Sequence, residues 1–171
     1  MLRLAKAFWD LALWRITPEQ LPASRFFLAL AAFALGAIEA LGVVLPPSQS
    51  DRIVARVLLQ VGLPLVFCGL VLIGARRPER FLQCATALLG VTALSLLAIY
   101  PMSYAVDAIG ADQPGSLPFV LLSIVGLVWW LLACAHIWRA ALNSGLGPGI
   151  AVSVAYFALQ TLVGHYLQLD I

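Results

Sequence analysis

The chain has 171 residues, of which 63% are hydrophobic and 11% charged, and its net charge is +2. Soluble domains carry roughly 25% charged residues, so too little water-facing surface is available for one. The small net charge, with no basic run interleaved with aromatics, excludes a nucleic-acid partner.

Residues 1–16 carry Arg3, Lys6 and Asp10 along one helical stripe, while Leu2, Phe8, Trp9, Leu13 and Ile16 cover the remainder. This pattern reads as an amphipathic interfacial helix in the headgroup plane, or as a helix packed on the cytoplasmic end of a bundle. Thr17-Pro18-Glu19-Gln20 has the form of a helix start with a capping box. Pro22 limits that turn, and Ser24 is placed to cap the first long helix.

Five apolar stretches then occupy residues 26–45, 53–74, 81–102, 117–137 and 149–167. A hydrocarbon core roughly 30 Å thick needs about 20 helical residues to cross. The expected fold is therefore all-α: a single membrane domain over residues 1–171, with five transmembrane helices behind the amphipathic segment. The first stretch is longer than the roughly 7–15 residues of a signal core, so it is expected to stay as a span.

Punctuation separates the stretches. Pro46-Pro47 ends the first, and Ser50 or Asp51 caps the second. Pro64 should kink the second span. Arg77-Pro78-Glu79 forms a tight turn into the third span, and Ser116 with Pro118 opens the fourth. Residues 145–149 (Gly-Leu-Gly-Pro-Gly) combine a C-cap glycine with a helix-starting proline.

Basic residues near span ends set orientation. With a cytoplasmic N-terminus, Arg3, Lys6, Arg15, Arg25, Arg76, Arg77, Arg80 and Arg139 lie inside, and only Arg52 and Arg56 outside. The C-terminus then ends outside. Trp9, Trp14 and Trp138 fall at the inner interface, and Tyr100, Tyr104 and Tyr166 at the outer one. Nine arginines to one lysine in an Ala- and Leu-rich chain is the bias of a GC-rich bacterial genome, which places the expected home in a bacterial inner membrane.

Ionisable groups inside spans are candidate sites. Glu39 lies about two turns from the outer end of the first span, and Arg56 about one turn into the second, so antiparallel neighbours bring them to one depth. His165 near the outer end of the fifth span is expected to join them. The set reads either as a proton- or ligand-responsive outer site or as a structural ion pair. Toward the inner side, Arg76, Arg77, Arg80, His136 and Arg139 read either as contacts to lipid phosphates or a partner, or as snorkelling and helix-bonding groups. A catalytic pair of His136 with Cys84 lacks an orienting third group.

The cysteines Cys68, Cys84 and Cys134 form no CxxC and have no metal-ligand spacing, so they read as small apolar core residues. No catalytic, cofactor-binding or metal motif is present. Ala32, Gly36 and Ala40, and Ala151 with Ala155, recur at four-residue spacing and favour close helix approach, within the bundle or in a homo-oligomer.

Three stretches resemble the bacterial branch of the Yip family. They are the lead-in with Trp9-Asp10, Trp14, Pro18 and Pro22; the turn Arg77-Pro78-Glu79-Arg80-Phe81-Leu82-Gln83; and residues 139–149 before the fifth span. The second loop carries arginines where the family has a Gly-rich element. The resemblance implies a cytoplasmic N-terminal segment, five closely spaced spans, and a non-enzymatic protein acting through membrane or protein contacts. The alternative is a small transporter or channel component using Glu39, Arg56 and His165.

Overall fold

The computed structural model describes residues 8–11, 13–44, 53–110 and 112–167. Five long helices run through them: α1 (Arg25–Val44), α2 (Ile53–Gly74), α3 (Phe81–Ile109), α4 (Leu117–Leu142) and α5 (Leu146–Tyr166). Each is long and apolar enough to cross a membrane. No strand occurs among the described residues. The chain is an all-α, multi-pass membrane protein. Its surface agrees: Phe33, Leu41, Val54, Leu58, Leu70 and Leu121 are more than half exposed along the helices. Lipid satisfies such a face, and the polar groups turn inward.

Helix α3 is the axis of the bundle, with 61% of its span buried against 17–28% for the other four. It packs on α1, α2 and α4, and α5 closes the bundle against α4 and α2. Every residue from Cys84 to Ala93 is buried, so this helix has no solvent or lipid stripe along that stretch. Ala85, Ala87, Gly90 and Ala93 keep it thin enough for neighbours on several sides. A close backbone approach joins α4 to α5, where a Cβ added to Gly149 would fall 2.4 Å from the Ala135 carbonyl oxygen.

The helix ends follow the punctuation in part. The Phe26 amide donates to Ser24 Oγ at 3.2 Å, as the sequence predicts. The turn Pro78–Arg80 leads directly into α3. That helix continues two turns beyond the expected end, through Pro101, and stops at Gly110 with φ 93°. At the α4–α5 link, Asn143 takes the left-handed C-cap with φ 50°. Gly145 is instead the N-cap of α5, which starts at Leu146. Asparagine tolerates this conformation nearly as glycine does. Pro64 lies inside α2 and leaves the Gln60 carbonyl without its usual i+4 amide. The expected stops at Pro46-Pro47 and caps at Ser50 or Asp51 lie outside the described residues, as do residues 1–7.

The segment before α1 enters the bundle. Residues 8–11 are helical, and Leu11 is fully buried. The ring of Phe8 sits where a Cβ on Gly90 would come within 2.3 Å. Gly90 is nine residues along α3, about 13 Å of axial rise, so this part is not confined to the headgroup plane. Trp9 and Trp14 remain 54% and 50% exposed. Pro18–Gln20 forms a 3-10 turn, and Thr17 makes no side-chain cap bond. Trp138, expected in an interfacial belt, is fully buried, edge-on to Phe67 at 5.8 Å.

Candidate functional site

Three polar clusters sit in this apolar frame. The first joins α1, α2 and α3 toward the end of the bundle opposite the N-terminal segment. Glu39 is fully buried, and its Oε1 lies 3.3 Å from Arg56 Nε. The hydroxyl of Tyr100 donates to Glu39 Oε2, and that of Tyr104 donates to the Gly42 carbonyl. Glycine at 42 admits the Tyr100 ring, which a Cβ would meet at 2.3 Å. A carboxylate at such depth needs a paired charge and hydrogen bonds to offset its lost hydration; Arg56 and Tyr100 supply both.

His165 does not join this set. The buried stripe of α5 runs through Gly149, Ser153, Tyr156, Gln160 and Gly164, and the residue after Gly164 points about 100° away from it. His165 is exposed. Tyr100 provides the third group, which the sequence reading assigned to the membrane interface.

The second cluster lies deeper. Gln160 Nε2 donates to Gln60 Oε1 at 2.8 Å, joining α5 to α2. Trp130 Nε1 donates to Thr92 Oγ1 at 3.1 Å, joining α4 to α3. These residues line a cavity of about 300 Å³ together with Ser95, Ile99 and Leu127. A groove of about 460 Å³ between α3 and α4 shares Ile99 and Leu127 as its wall and reaches Asp107. Neither glutamine stands among the sequence-derived candidates; an amide in the middle of an apolar span was the available signal.

The third cluster clamps the N-terminal segment at the opposite, basic end. Arg80 Nη1 donates to the Ala140 carbonyl at 2.6 Å and pairs with Glu19 at 2.8 Å. Gln83 Nε2 donates to the carbonyls of Glu19 and Leu21 at 3.1 and 3.0 Å. His136 Nε2 contacts the Ile16 carbonyl oxygen at 3.2 Å. Arg80 and His136 thus hold the chain's own backbone, whereas Arg76 and Arg139 are exposed and Arg77 is partly so. Bonds from charged donors are worth about 1.5–3 kcal/mol, and exposure of Glu19 reduces the ion-pair share. Arg80→Ala is accordingly expected to speed amide exchange across residues 13–21 by about tenfold while leaving the five helices protected. Unchanged exchange there would show that Arg80 does not hold the segment.

The cysteines come together in the core. Cys68, Cys84 and Cys134 belong to one buried apolar cluster, and all three are free. His136 is directed to the Ile16 carbonyl instead of Cys84, so the conceivable catalytic pair is not joined, and Arg139 faces outward. Among the described residues no set of three His, Cys, Asp or Glu side chains has a geometry that holds a metal. Of the small-residue stripes, Gly36 meets α2, where an added Cβ would lie 3.3 Å from Val57. Ala151 and Ala155 are exposed on α5.

Comparison of the chain with protein-family models, with curated proteins and with solved structures gives no match.

Proposed function

We propose that the chain is a non-enzymatic interaction protein of Yip-like type in a bacterial inner membrane, with its basic end in the cytoplasm. The observation that carries this reading is the clamp. Arg80, Gln83 and His136 fix residues 16–21 across the ends of α3 and α4, which leaves Trp9 and Trp14 half exposed beside them. Exposed Arg76 and Arg139 stand at the same end. A fixed aromatic pair amid basic residues suits a protein partner at an anionic lipid surface, where each arginine adds about 1 kcal/mol of attraction. The orientation rests on charge. Of the described arginines only Arg56 lies toward the other end, and Glu39 pairs with it.

The test is a pull-down from detergent-solubilised membranes through a tag on the N-terminus. A stoichiometric partner should accompany the wild type and be lost from Trp9→Ser/Trp14→Ser at equal abundance. Equal recovery from both proteins, or recovery of the chain alone, would overturn the reading.

A further inference from the structure

We propose that the cavity between Gln60 and Gln160 binds the hydroxyl of a neutral lipid alcohol, whose apolar body lies in the groove between α3 and α4. This inference does not depend on the interaction face at the basic end.

Depth is the first argument. Ser95 and Trp130 line the cavity near the midpoints of α3 and α4, and Gln60 and Gln160 lie about two turns inside the ends of α2 and α5, so the polar lining sits below the headgroups, within the apolar span. Lipids with charged heads are held at the surface. Only an uncharged lipid brings its polar group to that depth at modest cost.

Hydrogen-bonding capacity is the second. Four donors around the cavity are already committed. Gln160 Nε2 serves Gln60, Trp130 Nε1 serves Thr92, and the hydroxyls of Ser95 and Thr161 serve the carbonyls of Val91 and Phe157. One acceptor is not. Gln160 is only 9% exposed, and its Oε1 is buried without a hydrogen-bond partner. A buried acceptor left bare is costly, and a ligand O–H would recover that cost. No charged side chain lines the cavity. A phosphate or carboxylate would therefore meet the bare Gln160 oxygen with no cation beside it, and an ammonium would find no counter-charge.

Shape is the third. Ile99 and Leu127 form a wall common to the cavity and the groove. Val106, Val120 and Ile124 continue the groove as a largely apolar channel, which Ser103, Ser123 and Asp107 also line. A hydroxyl in the cavity and a hydrocarbon body in the groove match the two chambers.

The test uses purified full-length protein in nanodiscs and a diazirine-tagged geranylgeraniol, with crosslinked peptides mapped by mass spectrometry. Labelling should saturate and map to α3 and α4. Geranylgeranyl methyl ether, which accepts but cannot donate, should compete about tenfold more weakly than the alcohol. Gln160→Leu should weaken the alcohol about tenfold and leave the ether unchanged; retained ether binding shows that the variant keeps its fold. Equal competition by alcohol and ether, unaltered alcohol affinity in Gln160→Leu, or labelling that never saturates (as when water alone fills the cavity) would overturn the proposal.

Discussion

Glu39→Leu is expected to destabilise the bundle by about 3–5 kcal/mol, the cost of leaving one member of a buried ion pair without the other. Arg56 would keep its charge with only 11% of its side chain exposed, after losing the carboxylate 3.3 Å away. Tyr100 would lose its acceptor as well. The double variant Glu39→Leu/Arg56→Leu should recover most of the loss, because removing both charges removes the desolvation penalty with the attraction. Equilibrium unfolding in mixed micelles reads both effects. A single variant as stable as wild type, or a double variant as damaged as the single one, would show that the pair does not carry the α1–α2 contact.

A comparable loss is expected from one added methyl group. In Gly149→Ala the new Cβ would stand 2.4 Å from the Ala135 carbonyl oxygen and 3.2 Å from the Arg139 amide nitrogen. Those atoms belong to the α4 backbone, so no rotamer change relieves the contact and the helices must part. Overpacking of this kind costs about 1–3 kcal/mol, and more where the neighbour is rigid. Gly147 is the control. A Cβ there meets nothing within 4 Å, so Gly147→Ala should be neutral or gain up to about 1 kcal/mol of helix propensity. The two substitutions lie two residues apart in one helix, and opposite signs in one unfolding assay would isolate packing from propensity. Equal effects would mean that the α4–α5 approach accommodates a methyl group.

The spans were legible because hydropathy over about 20 residues reports directly on lipid exposure. The pairing of Glu39 with Arg56 was legible too, since the short connection between their helices constrains the register of antiparallel neighbours. Other features required knowledge of which face each helix buries. His165 follows Gly164 and so lies off the buried stripe of α5 by one residue. Tyr100 read as interfacial because the apolar run of its span ends close to Pro101. The helix instead runs on to Ile109, which sets Tyr100 and Tyr104 on one face, one turn apart, against α1. Gln60 and Gln160 are separated by 100 residues, and no local pattern relates them. At the α4–α5 link the glycines drew attention from Asn143, which is the residue that caps the helix.

The clamp at the basic end has a consequence for biogenesis. Ile16 precedes its partner His136 by 120 residues, and the whole of the first two spans separates Glu19 from Arg80. At about 5–20 residues per second of synthesis, the Ile16 carbonyl waits on the order of ten seconds for the imidazole to be made. Through that interval Phe8 and Leu11 have no finished pocket, since α3 and α4 supply it. Phe8, Leu11 and the Ile16 carbonyl, made before any span, are thus among the last groups to be seated. Protection of residues 13–21 from a protease during synthesis would mark the moment at which the fourth span is in place.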